Sequence, residues 1–465
     1  MRVRINANPE NKKNILTLLE EQNYSLPCNC HGARRCNGKN YSFDCSMVPT
    51  SPLEVELPGS SYAIQSIAME DRQTGIGPAD TLLIDLGTTT LALALMDKKS
   101  GTLRFCSTSA NPQISYGADV IARIQAACSG SLSDMQRSIQ NHLEKETALL
   151  CQKNHQDISS IRFCYIGGNT TMIHLLMGYD CTSLGHSPFS IRVPSPTSFT
   201  KNNCLITIAP WISAFVGGDI TAGLSACDMQ TSRSTSLFVD LGTNGEMVLC
   251  HNGLLYTAAT AAGPALEGGG LSCGCPGIPG AIHSVRLRKL RPALVTIGNK
   301  LPAGLCGSGA ISLCAELIRK KYITKDGILT DLFPAEGILL TQTPQGIPLR
   351  FTADDLRNIQ LAVAAIAAGI DTLLHVAGIS SSSVNTLFLG GGFGFHLAPE
   401  DCATLGLFSD IPVSRIKAMG NTCLEGLYKH ALSGAAFVVP KDCRTLNLAE
   451  NADFQHFFIK HMVFP

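Results

Sequence analysis

TLLIDLGTTT, at residues 81–90, is the stretch that decides the fold. Its apolar first half predicts a β-strand, and a second apolar strand is predicted from Leu91 onward. Between them, Gly87 lets the backbone turn sharply and approach an anion, which the neighbouring N–H groups and Thr hydroxyls can bind. Asp85, at the end of the first strand, is placed to hold Mg²⁺ through water. The stretch therefore predicts a hairpin whose turn binds a phosphate.

The same pattern returns at residues 237–246, which read LFVDLGTNGE and precede the apolar run 247–249. Asp240 occupies the position of Asp85, 155 residues further along the chain. Each copy predicts a hairpin with a phosphate-binding turn. The chain is therefore expected to contain two similar lobes, each presenting one such turn.

A third glycine-containing turn follows the predicted strand 386–389. Gly390, Gly391 and Gly392 have no side chains, so a flat ring can lie close to this backbone. Taken alone, each of the three motifs is also compatible with an ordinary turn that contains Gly. Along the chain, strand-Asp-x-Gly-Thr occurs twice and is followed by strand-Gly-Gly-Gly. The three motifs in this order resemble the actin-like and sugar-kinase ATPase superfamily. The resemblance implies an α/β fold with two lobes.

The resemblance also implies which residues bind ATP and Mg²⁺. The carboxylates of Asp85 and Asp240 would be the catalytic groups that act on the metal and the phosphates. The first two turns would hold the phosphates, and the third would hold adenosine. The implied nucleotide-binding residues of the three turns are Gly87, Thr88, Thr89, Thr90, Gly242, Thr243, Asn244, Gly390, Gly391 and Gly392.

Two further glycine-rich turns follow the second predicted hairpin. Glu267 lies in the first of them and is a candidate polar group near the nucleotide, although a surface carboxylate is an equally good interpretation. Gly307 and Ser308 lie in the second, shortly before the predicted helix 311–319. Since the N–H groups at the start of a helix bind anions, this turn is a candidate site for a phosphate or for the ribose.

Composition and charge exclude several classes of protein. The 465 residues are 45% hydrophobic and only 15% charged, which favours a compact chain of two or three domains over a disordered one. The 36 basic residues balance 36 acidic ones, so no net charge directs the chain to nucleic acid. Neither a secretory signal nor a membrane span is predicted. We therefore expect a cytoplasmic protein whose 19 Cys residues form no disulfide framework: most are expected to be buried thiols, with a subset available to bind metal.

The first 58 residues predict a small metal-binding unit. Residues 2–7 predict a strand, residues 11–21 predict a helix, and a Cys-containing loop follows. This order resembles the opening of plant-type 2Fe–2S ferredoxins, with a β-grasp fold that is shortened here. Four Cys residues within eighteen positions suit an iron–sulfur cluster, with 2Fe–2S favoured over 4Fe–4S, while a zinc site or a ferredoxin remnant with free thiols stays open. The candidate metal ligands are Cys28, Cys30, Cys36 and Cys45.

These motifs divide the chain into three predicted parts. The ferredoxin-like domain occupies residues 1–58, a polar linker residues 59–79 and the two-lobed ATPase domain residues 80–465. The expected subdivisions of the ATPase domain are a first lobe at about 80–230, a second lobe at about 231–415 and C-terminal helices at 416–465.

Short runs spread over residues 80–465 make the resemblance more specific. They are NTTM at 169–172, VGGD at 216–219, GTNGE at 242–246, AGPA at 262–265, CGSG at 306–309 and the final Phe-Pro. On these runs the chain is similar to the ATP-dependent reductive activators of corrinoid proteins. The resemblance implies an electron donor that uses ATP to return a Co(II) corrinoid to Co(I) through an N-terminal iron–sulfur cluster. Its partners would be a corrinoid protein of a methyltransferase system and an upstream electron donor, and a homodimer is an open alternative to a monomer.

Two other functions also fit the sequence. A small-molecule kinase of the same superfamily explains the phosphate turns but leaves residues 1–58 without a role. A nucleotide-gated adaptor without catalysis explains both parts if the N-terminal Cys residues bind zinc. Iron analysis and a visible absorption spectrum under anaerobic conditions separate the adaptor from the activator, and a phosphorylated substrate hydroxyl would identify the kinase.

Overall fold

A computed structural model describes residues 72–195, 198–230, 232–391, 397–437 and 442–465, together with the backbone of four short strands nearer the N-terminus. The chain divides into two compact units, Met1–Ala63 and Ile64–Pro465. The larger unit contains both predicted phosphate turns. The boundaries predicted for the linker and for the two lobes stay predictions.

The smaller unit contains two antiparallel strand pairs. β1 (Arg2–Ile5) pairs with β4 (Leu53–Glu56), and β2 (Cys36–Gly38) pairs with β3 (Tyr41–Phe43). The predicted helix at 11–21 and the candidate ligands Cys28, Cys30 and Cys45 lie outside the described residues, and of Cys36 only the backbone is described. The ferredoxin-like fold and its cluster therefore stay predictions.

The first lobe of the larger unit is built on a six-stranded sheet. Its strands are β5 (Thr81–Leu86), β6 (Thr90–Asp97), β7 (Thr102–Ala110), β8 (Phe163–Gly168), β9 (Ser198–Lys201) and β10 (Cys204–Ile208). Their order in the sheet is β7-β6-β5-β8-β10-β9. The central strand β5 pairs antiparallel with β6 and parallel with β8, and its apolar run 81–84 is buried. The predicted hairpin of residues 81–97 is thus the centre of this sheet.

The second lobe repeats this arrangement. Its strands are β11 (Ser236–Leu241), β12 (Gly245–His251), β13 (Leu254–Thr260), β14 (Ala281–Arg288), β15 (Arg291–Thr296), β16 (Gly304–Leu305), β17 (Ile338–Gln342), β18 (Pro348–Phe351), β19 (Thr386–Gly390), β20 (Ile416–Gly420) and β21 (Cys443–Thr445). Six of them form a sheet of order β20-β19-β11-β12-β13-β21, and β14 to β18 form two smaller sheets. Here β11 pairs antiparallel with β12 and parallel with β19. The predicted two-lobed α/β fold is confirmed.

The helices lie on both sides of these sheets. In the described residues they are α1 (Val120–Ala126), α2 (Leu132–Lys153), α3 (Thr170–Met177), α4 (Gly218–Ala226), α5 (Gly307–Arg319), α6 (Ala353–Ala377), α7 (Pro399–Thr404), α8 (Thr422–Ser433) and α9 (Ala452–His461). Residues 416–465 were expected to be helical, but this segment also supplies β20 and β21 to the second sheet. The helix prediction was wrong at these two strands, because both are too short to show a strand period.

Helices α4 and α8 join the two lobes. On α8, Leu424 and Leu427 are buried together with Leu83 of the first sheet. On α4, Leu224 is buried together with Phe238 of the second sheet. Each helix therefore anchors one sheet, and the contact between the two helices links the sheets.

The long helix α6 is a core helix with strong signals at both ends. The Thr352 hydroxyl accepts the Asp355 N–H, while the Asp355 carboxylate accepts the Thr352 N–H, which is a capping box. At the other end, Gly378 has a φ of 69°, a left-handed conformation that favours glycine. In the described part of the chain, α6 alone is long and apolar enough to cross a membrane, but 78% of its most apolar window is buried inside the protein. That burial is typical of a core helix.

The cysteines behave as the composition predicted. The fifteen Cys residues whose side chains are described are all free thiols, and ten of them are buried. Burial raises the pKa of several of these thiols, for example that of Cys273 to about 12. A neutral buried thiol packs as a small apolar side chain, which explains how so many of them fit in the cores.

Candidate functional site

The turns of the two hairpins meet. Hairpin 1 is β5, the turn 87–89 and β6, and hairpin 2 is β11, the turn 242–244 and β12. The hydroxyl oxygens of Thr89 and Thr243 are 3.3 Å apart, within hydrogen-bond distance. Two turns that are 154 residues apart in the sequence therefore belong to one site.

The turn of hairpin 1 depends on glycine and on a side chain from α3. A Cβ atom on Gly87 would lie 2.4 Å from the carbonyl oxygen of Thr90, which is too close for any other residue. The Thr88 hydroxyl is buried and accepts a hydrogen bond of 2.8 Å from the Asn169 side-chain amide. Asn169 is itself fixed, because its side-chain oxygen accepts the Met172 N–H and so caps α3. Thr90, at the start of β6, is exposed.

The turn of hairpin 2 is closed by its own backbone. The Gly242 N–H donates to the Asn244 carbonyl oxygen at 2.9 Å. The Thr243 hydroxyl donates to Glu267 Oε2 at 2.6 Å, which holds this carboxylate beside the turn. Burial raises the pKa of Glu267, while the hydrogen bonds from Thr243 and Thr89 oppose that rise. Glu267 therefore lies where the two hairpins meet.

The start of α5 packs against the turn that carries Glu267. A Cβ atom on Gly268, the residue after Glu267, would lie 3.3 Å from Cys306 Cα. Gly307 and Ser308 are the first two residues of α5. The Ser308 side chain is buried, and its hydroxyl lies 3.3 Å from Cys306 Sγ. The structure thus brings this helix start close to Glu267, with the backbone N–H groups rather than the Ser308 hydroxyl as its available donors.

The third predicted turn lies beside hairpin 2. Gly390 ends β19, and Gly391 has a φ of +94°, which favours glycine. A Cβ atom on Gly391 would lie 2.9 Å from Asp240 Oδ1, and one on Gly390 would lie 2.7 Å from the Phe238 ring. Gly392 lies outside the described residues. These glycines let β19 approach Asp240 closely, and their contact with adenosine stays a prediction.

Four carboxylates gather beneath the two turns. Asp240 and Glu246 are direct partners across the β11–β12 ladder, so their side chains lie on the same face. Asp85 occupies the corresponding place in hairpin 1, and the charges of Asp85 and Asp240 repel each other. Asp219, the second residue of α4, interacts with both. The site is therefore rich in acidic groups from both lobes.

Burial and mutual repulsion raise the pKa of all four groups. Burial raises the pKa of Asp85 to about 6, and the charge of Asp240 adds to the rise. Burial raises the pKa of Asp240 to about 7, with added repulsion from Asp219. Burial and the charge of Asp85 likewise raise the pKa of Asp219 to about 7. The pKa of Glu246 is raised well above its usual value by burial and by Asp219 and Asp240. A bound cation would lower these values, because it favours the charged form.

Three consecutive residues at the start of α8 contact the carboxylates of both hairpins. The Asn421 side-chain amide donates to Asp85 Oδ2 at 2.7 Å. The Thr422 hydroxyl donates to Asp240 Oδ2 at 3.3 Å. The buried Cys423 thiol also hydrogen-bonds to Asp85 and opposes the rise in its pKa. The start of α8 thus orients the two carboxylates that the sequence assigned as catalytic.

The donor set of the site suits Mg²⁺. Among the residues that the structure describes, no three His, Cys, Asp or Glu side chains form a complete metal site. Mg²⁺ prefers oxygen ligands and usually takes only one or two carboxylates, with water and substrate phosphates completing its octahedron. Asp85, near the end of β5, offers one such carboxylate. It fits a Mg²⁺ ion that binds together with a phosphate ligand.

Several residues of this site were not assigned from the sequence. Each of them is a polar residue at one of two kinds of position. It lies either in a Gly-rich or Asn-containing turn between a strand and a helix, or directly across a hairpin from an assigned Asp. The residues concerned are Asn169, Asp219, Glu246, Asn421, Thr422 and Cys423. Of these, Glu246 was open to prediction, because the short turn at 242–244 sets it opposite Asp240.

Two family models match the chain. The model described as the RACo middle region matches residues 81–232, which carry hairpin 1. The model described as the C-terminal domain of RACo, the ASKHA domain, matches residues 234–465, which carry hairpin 2. Both halves of the site therefore fall within matched regions.

Individual relatives extend the likeness. The chain is 30% identical over 421 residues to the corrinoid activation enzyme RamQ of Eubacterium limosum, covering 83% of this chain and 70% of that one. It is 28% identical over 247 residues to the [Co(II) methylated amine-specific corrinoid protein] reductase of Methanosarcina barkeri, covering 48% of this chain and 44% of the relative. The solved structure of a reductive activator for corrinoid,iron-sulfur protein matches with a TM-score of 0.77 and 26% identity, covering 100% of this chain and 79% of the other.

Proposed function

The chain belongs to the RACo family of corrinoid activation enzymes, and on this premise we propose that it uses ATP to return a Co(II) corrinoid on a partner protein to Co(I). The observation that carries the proposal is the meeting of the two hairpin turns at Thr89 and Thr243. That contact puts Asp85 and Asp240, one from each lobe, at a single site. A ligand bound there contacts both lobes, so its binding can favour one arrangement of the lobes over another.

ATP is the ligand that this site supports best. The backbone N–H groups and hydroxyls of the two turns would hold the phosphates, and Mg²⁺ on Asp85 would neutralise their charge. The start of α5 and Glu267 would face the phosphates or the ribose, and the turn after β19 would lie against adenosine. The proposed binding residues are Gly87, Thr88, Thr89, Thr90, Gly242, Thr243, Asn244, Glu267, Gly307, Ser308, Gly390, Gly391 and Gly392.

Asp240 is the group we assign to proton transfer during hydrolysis. A general base works best when its pKa lies near the working pH, and the pKa of Asp240 is about 7. Asp85, whose carboxylate accepts hydrogen bonds from Asn421 and Cys423, is better suited to stay ionised and hold the metal. The two matching Asp residues would therefore divide the work between metal binding and proton transfer.

The electron is proposed to enter through the N-terminal unit. Cys28, Cys30, Cys36 and Cys45 would supply thiolates to an iron–sulfur cluster, with 2Fe–2S favoured, and an upstream donor would reduce it. Anaerobically purified protein is expected to contain iron and sulfide and to show a visible absorption band that bleaches on reduction. Cys36→Ser and Cys45→Ser should remove the band but leave nucleotide binding intact. Stoichiometric zinc without iron would overturn this part of the proposal.

The experiment for the proposed function measures ATP hydrolysis with and without a corrinoid protein. The isolated chain should hydrolyse ATP slowly, because turnover without a partner would dissipate ATP, and a Co(II) corrinoid protein should accelerate it. Calorimetry with a non-hydrolysable ATP analogue and Mg²⁺ should detect one site per chain. Fast hydrolysis without any partner, or a phosphorylated small molecule among the products, would instead support the kinase alternative.

A further inference from the structure

Helix α8 contacts two regions. Its first residues contact the site between the hairpins, and Glu425 and Tyr428 contact Arg72, which is distant in the sequence. Asn421 and Thr422 donate to the carboxylates of Asp85 and Asp240, which belong to different lobes. Any ligand that moves these carboxylates relative to each other must also act on the start of α8. The helix is therefore mechanically connected to both halves of the site.

Helix α8 is packed so closely that its first turn cannot move without the rest of the helix. A Cβ atom on Gly426 would lie 1.9 Å from the carbonyl oxygen of Ala222, so the backbones of α8 and α4 are in direct contact. A Cβ atom on Gly167, in β8, would lie 2.4 Å from Cys423 Sγ. Since close-packed interiors transmit strain, a shift of the first turn of α8 moves the whole helix.

One face of α8 holds the segment that enters the first lobe. The Glu425 carboxylate forms an ion pair with the Arg72 guanidinium, and both side chains are about one quarter to one third exposed. The Arg72 guanidinium also lies 5.0 Å from the ring centroid of Tyr428, one helical turn after Glu425. The Tyr428 hydroxyl donates to the Gly101 carbonyl oxygen at 2.8 Å. Arg72 is thus clamped between an acid and an aromatic ring on α8.

Arg72 lies in the stretch that joins the larger unit to the smaller one. The larger unit begins at Ile64, and the described part of the stretch runs from Arg72 to the start of β5. Its backbone is tied to the edge of the first sheet, where the Thr74 N–H donates to the Leu103 carbonyl oxygen at 3.0 Å. The same stretch continues into β5, which carries Asp85.

We propose that α8 couples the state of the nucleotide site to the stretch that leads to the N-terminal unit, with the Glu425–Arg72 pair as its contact. The proposal rests on the proposed function, because it takes a nucleotide as the ligand between the hairpins. Coupling requires that two sites bias one shared element, and α8 contacts both, through Asn421 and Thr422 on one side and through Glu425 and Tyr428 on the other. Nucleotide binding would change the position of α8 and thereby the hold on Arg72.

The test is hydrogen exchange of the full-length protein, measured by mass spectrometry with and without Mg²⁺ and the imido analogue of ATP. In the wild type, exchange of the amides at residues 72–80 should change at least about fivefold when the analogue binds. In Glu425→Gln, which keeps the shape of the side chain but removes the charge, this change should fall below about twofold. The analogue should still bind, with an affinity that changes by no more than about the lost coupling factor.

Asp228→Asn is the matched control. Asp228 forms an ion pair of 2.9 Å with Lys429, also on α8, whose ammonium group in addition donates to the Ser225 and Ala226 carbonyl oxygens at the end of α4. This variant should keep the full exchange response, whereas Arg72→Gln should lose it as Glu425→Gln does. Calorimetry on each variant distinguishes failure of the proposed function from failure of the proposed coupling. If the wild type binds no analogue, the proposed function is wrong. If it binds the analogue but exchange at residues 72–80 does not change, the coupling role of α8 is wrong. A full exchange response in Glu425→Gln would also show that this role is wrong.

Discussion

The two hairpins share a backbone design, but their carboxylates have different surroundings. Asp85 faces Ala92 across the ladder of hairpin 1, whereas Asp240 faces Glu246 across the ladder of hairpin 2. Asp85 accepts hydrogen bonds from an amide and a thiol, both from α8. Asp240 accepts one longer bond, 3.3 Å, from Thr422 and has acidic neighbours.

The difference shows that a repeated motif determines geometry but not charge state. The donors around Asp85 favour its ionised form, and its pKa is about 6. The acids around Asp240 favour a bound proton or a bound cation, and its pKa is about 7. Side chains from α4 and α8, which lie outside the hairpins in the sequence, create that difference. The two turns therefore present two carboxylates with different surroundings at one site.

The largest effect is expected from Asp240→Asn. This change keeps the size of the side chain but removes the proposed base, so ATP turnover should fall by at least about 100-fold. Asp85→Asn should also reduce turnover and should mainly weaken the response to Mg²⁺. Steady-state hydrolysis at several Mg²⁺ concentrations distinguishes the two. Asp134→Asn, at an exposed position on α2, is the control for fold and charge. Wild-type turnover in Asp240→Asn would show that hairpin 2 is not catalytic.

The turns themselves should respond unequally to an added methyl group. Gly87→Ala places a Cβ 2.4 Å from a carbonyl oxygen, so it should lower the free energy of unfolding by about 1–3 kcal/mol. Gly242→Ala meets no atom closer than 3.7 Å and should change that free energy by less than about 0.5 kcal/mol. Urea unfolding of both variants measures the contrast. Equal losses in the two variants would mean that the turns are built alike.

The acidic neighbours of Asp240 should make the ligand-free protein sensitive to pH. A carboxyl whose pKa is raised on folding keeps a proton that the unfolded chain has already released. The free energy of unfolding should therefore fall as the pH rises from about 4 to about 7, and the part due to Asp85 should be complete near pH 6.

Asp219→Asn tests this linkage, because it removes one of the repelling charges. Its free energy of unfolding should fall less steeply over that pH range than that of the wild type, with a difference of at least about 1 kcal/mol at neutral pH. Urea unfolding at pH 5, 6, 7 and 8 supplies the curves. Parallel curves for the two proteins would show that the charge of Asp219 does not raise the pKa of Asp240.

The smallest expected effect is that of Thr422→Val. The substitution keeps the shape of the side chain and removes only the 3.3 Å bond to Asp240. Stability should fall by no more than about 1 kcal/mol, and the pH optimum of hydrolysis should shift upward, because the bond opposes the rise in the pKa of Asp240. A pH–rate profile measures the shift. A shift downward would mean that the bond favours the protonated form of Asp240.

The local parts of this site were predictable, and the distant ones were not. The strand-Asp-x-Gly-Thr pattern places Asp85 and Asp240 at strand ends, and the requirement for Gly87 follows from the tight turn. Even the pairing of Asp240 with Glu246 is set by the turn length. These features involve neighbouring residues, for which the sequence pattern is directly informative.

The partners of the carboxylates come from far along the chain. Asn421 is 336 residues from Asp85, and no period or spacing in one sequence connects them. The turn GNTCLEG at 420–426 resembles an ordinary helix start, and only the fold brings it between the lobes. The same holds for Asp219, whose turn in the sequence was indistinguishable from a structural one. Tertiary contacts of this kind require the assembled sheets.

ATP is proposed to drive the reduction of a corrinoid on a partner protein, and anaerobic absorption spectroscopy of that corrinoid follows the reduction itself. A Co(II) corrinoid protein is mixed with this chain and a low-potential electron donor, and the Co(I) band is followed with and without ATP. We expect Co(I) to form only when ATP, Mg²⁺ and the wild-type chain are all present, and not with Asp240→Asn. Co(I) formation at the same rate without ATP, or with Asp240→Asn, would show that ATP does not drive the reduction.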